Sequence, residues 1–283
     1  MSDRDPRNRL NDLDARAWTY ALRSVISTAY PTRGPASLAY HLRRKHPTPK
    51  PPQLMAELIR FFTRRDGHIL DLFAGAGSTL IASTLEGRTA IGIDLSPEYA
   101  ALYHAVCAEL QIAPQPYLVA DARQLLDLPI LHERPFDLIL TDPPYAAMMA
   151  RPKTGERKKR GQANPTPFTS SPADLGNLPY HEFITELSKI IANSLQLLRP
   201  GGYVVLFAKD LQPTPEHHNM LHADLVITLR QIAGLEYRGY QIWHDQSQNL
   251  YPFGYPYAFV ANQMHQFILI FRWHGQNSLP SSS

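Results

Sequence analysis

Four short apolar runs in this chain each stop at an aspartate. The first, His68 to Leu72, carries Asp71 at its end, and Thr89–Ile93 meets Asp94. Tyr117–Ala120 is closed by Asp121, and Phe136–Leu140 runs through Thr141 into Asp142. Continuous apolar runs of this length, bounded by turn residues, are the pattern of parallel strands buried on both faces. Helical patterns separate them. Leu10, Leu13, Trp18, Leu22 and Ile26 predict a helix over 8–28, and Leu54, Leu58, Ile59 and Phe62 predict one ending near Arg65. A third runs to Glu86 and stops at Gly87, and a fourth opens at Pro97, a residue suited to a first helical turn. Tyr180–Leu198 and Leu221–Ile232 complete the helices, while Tyr203–Ala208, Tyr240–Trp243 and Phe267–Trp273 bring the strands to seven. Strands alternating with helices give an α/β fold, a doubly wound and mostly parallel sheet with helices on both faces. Such sheets take ligands at the carboxyl ends of their strands, so the four acids are predicted to share one edge.

The first strand leads into Phe73-Ala74-Gly75-Ala76-Gly77-Ser78. Glycines at that point let the backbone turn tightly and let a ligand approach the main chain. Leu80 stands where the dinucleotide fingerprint has its third glycine, which counts against NAD. Asp94 lies close to the spacing at which an acid takes ribose hydroxyls, and Asp121 can accept from an adenine amino group. Helix capping is the plainer alternative for each acid taken singly. A ligand with an amine, a ribose and an adenine uses all three acids. S-adenosylmethionine is such a ligand, whereas a triphosphate would be repelled.

Thr141-Asp142-Pro143-Pro144-Tyr145 ends the fourth strand. Two prolines remove two backbone donors and fix two φ angles, so the chain leaves the sheet in a rigid, extended turn. The turn offers a carboxylate, the carbonyls of Asp142 and Pro143, and one aromatic ring. Such a set grips a planar group carrying an NH₂: the oxygens accept its N–H bonds and the ring stacks on its face. A tight turn with Asp142 capping and Tyr145 packing is the alternative.

Bulk properties narrow the setting. With 283 residues, 44% of them hydrophobic and 19% charged, the chain has material for one large domain or two small ones. A net charge of +3 permits nucleic acid as a partner without requiring it. Cys107, the single cysteine, reads as a core residue in a reducing compartment. No run approaches the length of a membrane span, and Met1–Asp5 lacks the apolar stretch of a signal peptide, so a cytoplasmic protein is expected. His217, His218 and His222 have no cysteine or acid cluster to complete a metal site, and no metal is expected.

Together, Asp71-x-Phe73-x-Gly75-x-Gly77 and Asp142-Pro143-Pro144-Tyr145 resemble the amino-methylating DNA methyltransferases, which modify adenine N6 or cytosine N4. The resemblance spans roughly residues 40 to 273. It implies a Rossmann-like methyltransferase fold, S-adenosylmethionine as cofactor and double-stranded DNA as partner. By that resemblance Thr48, Lys50, Asp71, Phe73, Gly75, Gly77, Ser78, Asp94 and Asp121 hold the cofactor, with Phe73 over its adenine and Asp94 on its ribose. His46-Pro47-Thr48-Pro49-Lys50-Pro51 is similar to the family's His-Pro-Thr-Gln-Lys-Pro segment, which lines the cofactor's methionine end; Pro49 replaces the usual Gln. Asp142, Pro143, Pro144 and Tyr145 form the implied catalytic turn, and His265–Arg272 resembles the family's closing strand. In the subgroup with this His-Pro segment the catalytic motif precedes the glycine loop. Here it follows, in the order of a circularly permuted chain.

The resemblance favours adenine N6 as target, because cytosine-N4 members more often carry Ser where Asp142 stands. Cytosine N4 is the first alternative. Enzymes methylating guanine N2 in transfer RNA share Thr-Asp-Pro-Pro-Tyr and this motif order, but carry an upstream RNA-binding module for which the residues before Asp71 are too few. A non-catalytic DNA-binding subunit is the last alternative. The expected organisation is one catalytic domain over 1–273, with a helical extension at 1–45, a basic insertion loop at 146–179, an aromatic loop at 244–264 and a disordered tail at 274–283. Arg151, Lys153, Arg157, Lys158, Lys159 and Arg160 stand against one acid, Glu156. They are expected to clamp phosphates, a solvated loop being the alternative. Tyr251, Phe253, Tyr255, Tyr257 and Phe259 suit either a packed loop or a stacking platform for a strand. No separate target-recognition domain is visible, which leaves a homodimer or a separate specificity partner to supply one.

Overall fold

The protein is described by a computed structural model over residues 7–145, 168–210, 220–248, 250 and 261–276. The candidate phosphate contacts Arg151 to Arg160, the aromatic run Tyr251 to Phe259, His217 and His218, and all but the first residues of the tail lie outside the described residues.

The strands are β1 (Val25–Thr28), β2 (His68–Asp71), β3 (Thr89–Asp94), β4 (Tyr117–Val119), β5 (Phe136–Thr141), β6 (Leu198–Ala208), β7 (Leu235–Asp245) and β8 (His265–Trp273). They form one sheet in the order β1-β7-β8-β6-β5-β2-β3-β4. Every neighbouring pair is parallel except those made by β8, which runs antiparallel to β6 and β7. The doubly wound, mostly parallel, Rossmann-like architecture is therefore present, with eight strands among the described residues in place of the seven expected.

The extra strand corrects the helix expected over 8–28. The helix α1 covers only Ala15–Ala21, and the chain then extends into β1, where Ile26 pairs with Trp243. Val25-Ile26-Ser27-Thr28 is rich in β-branched residues, and the edge of β7 offers unpaired backbone groups for it to meet. Ile26 is buried there, while Leu22, counted with it at helical spacing, is 58% exposed.

The remaining helices are α2 (Tyr40–Arg43), α3 (Pro52–Phe62), α4 (Ser78–Leu85), α5 (Pro97–Leu110), α6 (Tyr180–Ser194) and α7 (Leu221–Leu229). They cover both faces of the sheet. Phe183, Leu187 and Ile191 of α6 and Leu225 of α7 share one core with Ile139. Leu58 of α3, Ile81 of α4 and Val106 of α5 share the other with Leu138 and Leu140, and Cys107 is buried there too. Neighbouring residues of β5 thus belong to opposite cores, as the two-residue period of a strand demands. Ser96 caps α5 by accepting from the Tyr99 amide, with Pro97 in the first turn.

The winding reverses at β2. From there the chain builds outward through β3 and β4, then crosses back to lay down β5 and β6 on the other side. A crevice opens at such a switch point beyond the carboxyl ends of the strands. The loop leaving β2 is shaped by Gly77, which caps α4 with φ of 76°. A Cβ at Gly77 would stand 2.1 Å from Cδ2 of Tyr103, a buried ring whose hydroxyl accepts from the Gln115 amide at 2.7 Å. Gly77→Ala therefore meets both a left-handed backbone and an immovable neighbour. Urea denaturation should show a loss of about 2–4 kcal/mol; a loss well under 1 kcal/mol would mean that the loop relaxes freely.

Candidate active site

A cleft lies at the switch point, walled by the carboxyl ends of β2, β3, β4 and β5. Of the residues singled out from the sequence, Thr48, Lys50, Asp71, Phe73, Gly75, Ser78, Asp94, Asp121, Asp142, Pro143, Pro144 and Tyr145 line it. Gly77 does not; it packs on Tyr103, and its part is to shape the loop.

The glycine loop is held by acids. Asp94 accepts from the Gly75 amide at 2.8 Å on one oxygen and from the Ser96 amide at 2.9 Å on the other. It therefore ties the end of β2 to the start of α5, and each oxygen keeps a lone pair for a ligand. Burial pushes its carboxyl above the usual range. Tyr117 donates to the Gly75 carbonyl at 2.9 Å. Asp71 is deeper, accepting from the Phe73 amide at 3.1 Å and the Thr141 hydroxyl at 2.9 Å. Desolvation pushes it up to about 6. Asp121 takes the capping role that was the plainer reading. It accepts from the Arg123 amide at 2.9 Å and pairs with the Arg123 guanidinium at 2.8 Å, and the residue lines the cleft.

Asp142 leaves β5 on the Pro143-Pro144 turn with both oxygens engaged, one by the Lys50 ammonium and one by the Tyr145 hydroxyl. Lys50 is 6% exposed, its ammonium 5.1 Å from the centre of the Phe207 ring and 5.9 Å from that of Tyr145. Its carbonyl accepts from Arg43 at 3.0 Å and from Ser78 at 2.6 Å. The resemblance places Lys50 at the methionine end of the cofactor; in the structure its ammonium sits on Asp142 at the proline turn. Tyr145 is itself buried, and its hydroxyl also lies 3.5 Å from Gln266. Burial and the neighbouring carboxylate hold its phenol well above the usual range, so it stays a donor. Packed in this way it offers little open ring for stacking.

Sequence reasoning missed one wall. His46 packs its ring 4.6 Å from Tyr99 and stacks 5.4 Å from Phe168, and burial drives its imidazole down to about 3, so it is neutral. Tyr99 donates to the Phe168 carbonyl at 2.9 Å. Asp174, buried, accepts from the Thr169 amide and hydroxyl and from the Gly176 amide. Residues 168–178, expected as part of one aperiodic basic loop, thus form a packed strap over the cleft. The signal was the run Thr169-Ser170-Ser171-Pro172-Ala173-Asp174, whose residue types bond their own backbone. Among the described residues no three His, Cys, Asp or Glu side chains are placed to hold a metal ion, and no helix is long and apolar enough to cross a membrane.

The burial of Asp71 has a measurable cost. Its proton is held in the native state up to about pH 6 but leaves the unfolded chain near pH 4, so the native state binds more protons between those values. Stability from this group is complete below about pH 4 and falls by roughly 1.4 kcal/mol per pH unit as pH rises toward 6. Denaturation series across this window should show that slope, and Asp71→Asn should remove it; an unchanged slope in the variant would assign it to another group.

Residues 8–105 match the model of the DNA methylase family, a span that includes the His-Pro segment, the glycine loop and Asp94 and ends before the Asp142 turn. A type II methyltransferase of Streptococcus pneumoniae, M2.DpnII, is 44% identical over 55 residues, 19% of this chain and 20% of that protein. A type II methyltransferase of Moraxella bovis, M2.MboI, is 41% identical over 71 residues, 24% of this chain and 26% of that protein. The matched segments thus span about a quarter or less of the length of these curated relatives. Among solved structures, a SAM-dependent methyltransferase from Methanosarcina mazei is 16% identical with a TM-score of 0.47, covering 76% of this chain and 96% of that one. Over residues 8–105, which hold the His-Pro motif and the glycine loop, the chain is thus similar to the DNA methylase family, and shorter stretches of it are similar to type II methyltransferases.

Proposed function

We propose that this chain transfers the methyl group of S-adenosylmethionine to an exocyclic amino group in double-stranded DNA, N6 of adenine favoured, with residues 1–273 as one catalytic domain. The observation that carries the reading is Asp142 on its proline-stiffened turn, facing an acid-lined cleft at the switch point of the sheet. Asp71, Asp94, Asp121, Asp142 and Asp174 all line that cleft, which suits a ligand bearing a sulfonium and an ammonium and opposes a triphosphate. The lone pairs left on Asp94 suit ribose hydroxyls. Phe73, which lines the cleft, is the ring we assign to the adenine.

The cofactor, when bound, supplies an electrophilic methyl group on sulfur. The protein's part is to make a poor nucleophile attack it. An exocyclic amine is weak because its lone pair is delocalised into the ring. Hydrogen bonds from its N–H groups to Asp142 and to the Pro143 carbonyl localise that pair on nitrogen, and positioning with electrostatics does the rest. The base must leave the duplex to reach the cleft, and Tyr145 is the ring beside which it would arrive. Cys107 is buried in α5, away from the cleft, so it is no nucleophile for methylation at carbon. The names of the type II relatives suit a restriction-modification setting.

Nucleoside mass spectrometry of DNA treated with protein and cofactor should find N6-methyladenine. N4-methylcytosine would move the target, and no modified base would favour a binding subunit. Asp142→Ala should abolish transfer without weakening cofactor binding. Asp94→Ala should weaken cofactor binding by up to about 1.5–3 kcal/mol for each charge-assisted bond lost. Calorimetry showing the reverse pattern contradicts this division of roles. The basic stretch supplies the proposed grip on the duplex. Neutralising Lys158, Lys159 and Arg160 together should lower the slope of log K against log salt by about 2.7; an unchanged slope would shift that grip to Tyr251–Phe259.

A further inference from the structure

The cleft presents five carboxylates and, among the described residues that line it, one ammonium. That ammonium belongs to Lys50, and it is already held by Asp142. His46, the other basic side chain there, is neutral. Among the described residues, the only cation paired with another of these acids is Arg123, fixed on Asp121. S-adenosylmethionine carries one negative group, its α-carboxylate. Entering a cleft of acids, that carboxylate has Lys50 as the side-chain cation to meet, and an unpaired carboxylate there is costly. The amine of the substrate meets a weakened acceptor there, since each oxygen of Asp142 already accepts one bond, from Lys50 and from Tyr145, and the Lys50 ammonium offsets its charge.

One movement answers both needs. The main chain of Lys50 is clamped, its carbonyl held by Arg43 and Ser78, and Arg43 is itself fixed by bonds to the Ser37 and Leu38 carbonyls. The side chain beyond that anchor is a flexible four-carbon stem that carries a point charge. Resting on the methyltransferase reading, we propose that Lys50 is a positioning residue that exchanges partners. With the cleft empty it holds Asp142; when the α-carboxylate arrives it swings to that group and frees an oxygen of Asp142 for the amine N–H. Cofactor and target amine then share one ion, and each favours the other through it, as linkage requires.

The exchange makes Asp142 a competitor of the cofactor for Lys50, a relation a merely structural lysine would not have. Calorimetry can read it without DNA, using S-adenosylhomocysteine and its decarboxylated analogue S-adenosyl-3-thiopropylamine, which keeps the ammonium. Asp142→Asn should release Lys50 and tighten S-adenosylhomocysteine binding, on the order of tenfold, within the usual range of coupling between sites. The decarboxylated analogue should not gain. In the Lys50→Met background the gain from Asp142→Asn should vanish, along with the preference for the carboxylated ligand. An Asp142→Asn variant that binds S-adenosylhomocysteine no more tightly, or a gain that persists without Lys50, overturns the exchange. Failure of either ligand to bind the unaltered protein would instead overturn the cofactor reading on which it rests.

Discussion

Carboxylates crowded at one end of a parallel sheet are the constraint around which this molecule is arranged. Parallel strands end side by side, so Asp71, Asp94, Asp121 and Asp142 are brought together by topology. Like charges in a half-buried cleft repel, and each is managed differently. Asp71 is desolvated and pushed toward the neutral acid, and Asp94 is steadied by two backbone amides. Asp121 is paired with Arg123, and Asp142 with Lys50. A cationic ligand relieves the same repulsion, so a site of this kind is strained when empty and eased when filled. That is how functional sites commonly store the free energy they later use.

The scaffold separates what must be rigid from what must move. Pro143 and Pro144 hold the end of β5, and Gly77 locks the loop after β2 against Tyr103. The strap over residues 168–178 is pinned by Asp174, by the Tyr99 hydroxyl and by the ring of His46. Against these fixed walls the ammonium of Lys50 is anchored only by a single ion pair and two ring faces. A mobile ion in a stiff cleft is the arrangement by which one ligand can report its arrival to another.

Much of this was legible in the residues. The strand ends, the acid edge and the proline turn follow from local pattern, because apolar runs, punctuation and caps act over a few residues. What was not legible depends on partners distant in sequence. The strand β1 exists because β7 offers it an edge, some 215 residues later, and nothing in Leu22 or Ile26 announces that. The partnership of Lys50 with Asp142 spans 92 positions and is set by where the segment after α2 crosses the sheet. Gly77 looked like a ligand contact because its type and place suited one, and only the position of Tyr103 shows a packing role. The strap was hidden by its neighbours, a basic stretch that drew the whole of 146–179 into one reading.

On the proposed reading, the acid edge selects a cationic adenosine ligand over a phosphorylated one. Titration calorimetry of the protein with S-adenosylmethionine and, separately, with ATP tests it most directly. Binding of one S-adenosylmethionine per chain, with no measurable binding of ATP at the same concentrations, is the result expected from carboxylates that attract a sulfonium and repel phosphates. Binding of ATP as tight as, or tighter than, that of S-adenosylmethionine would contradict it.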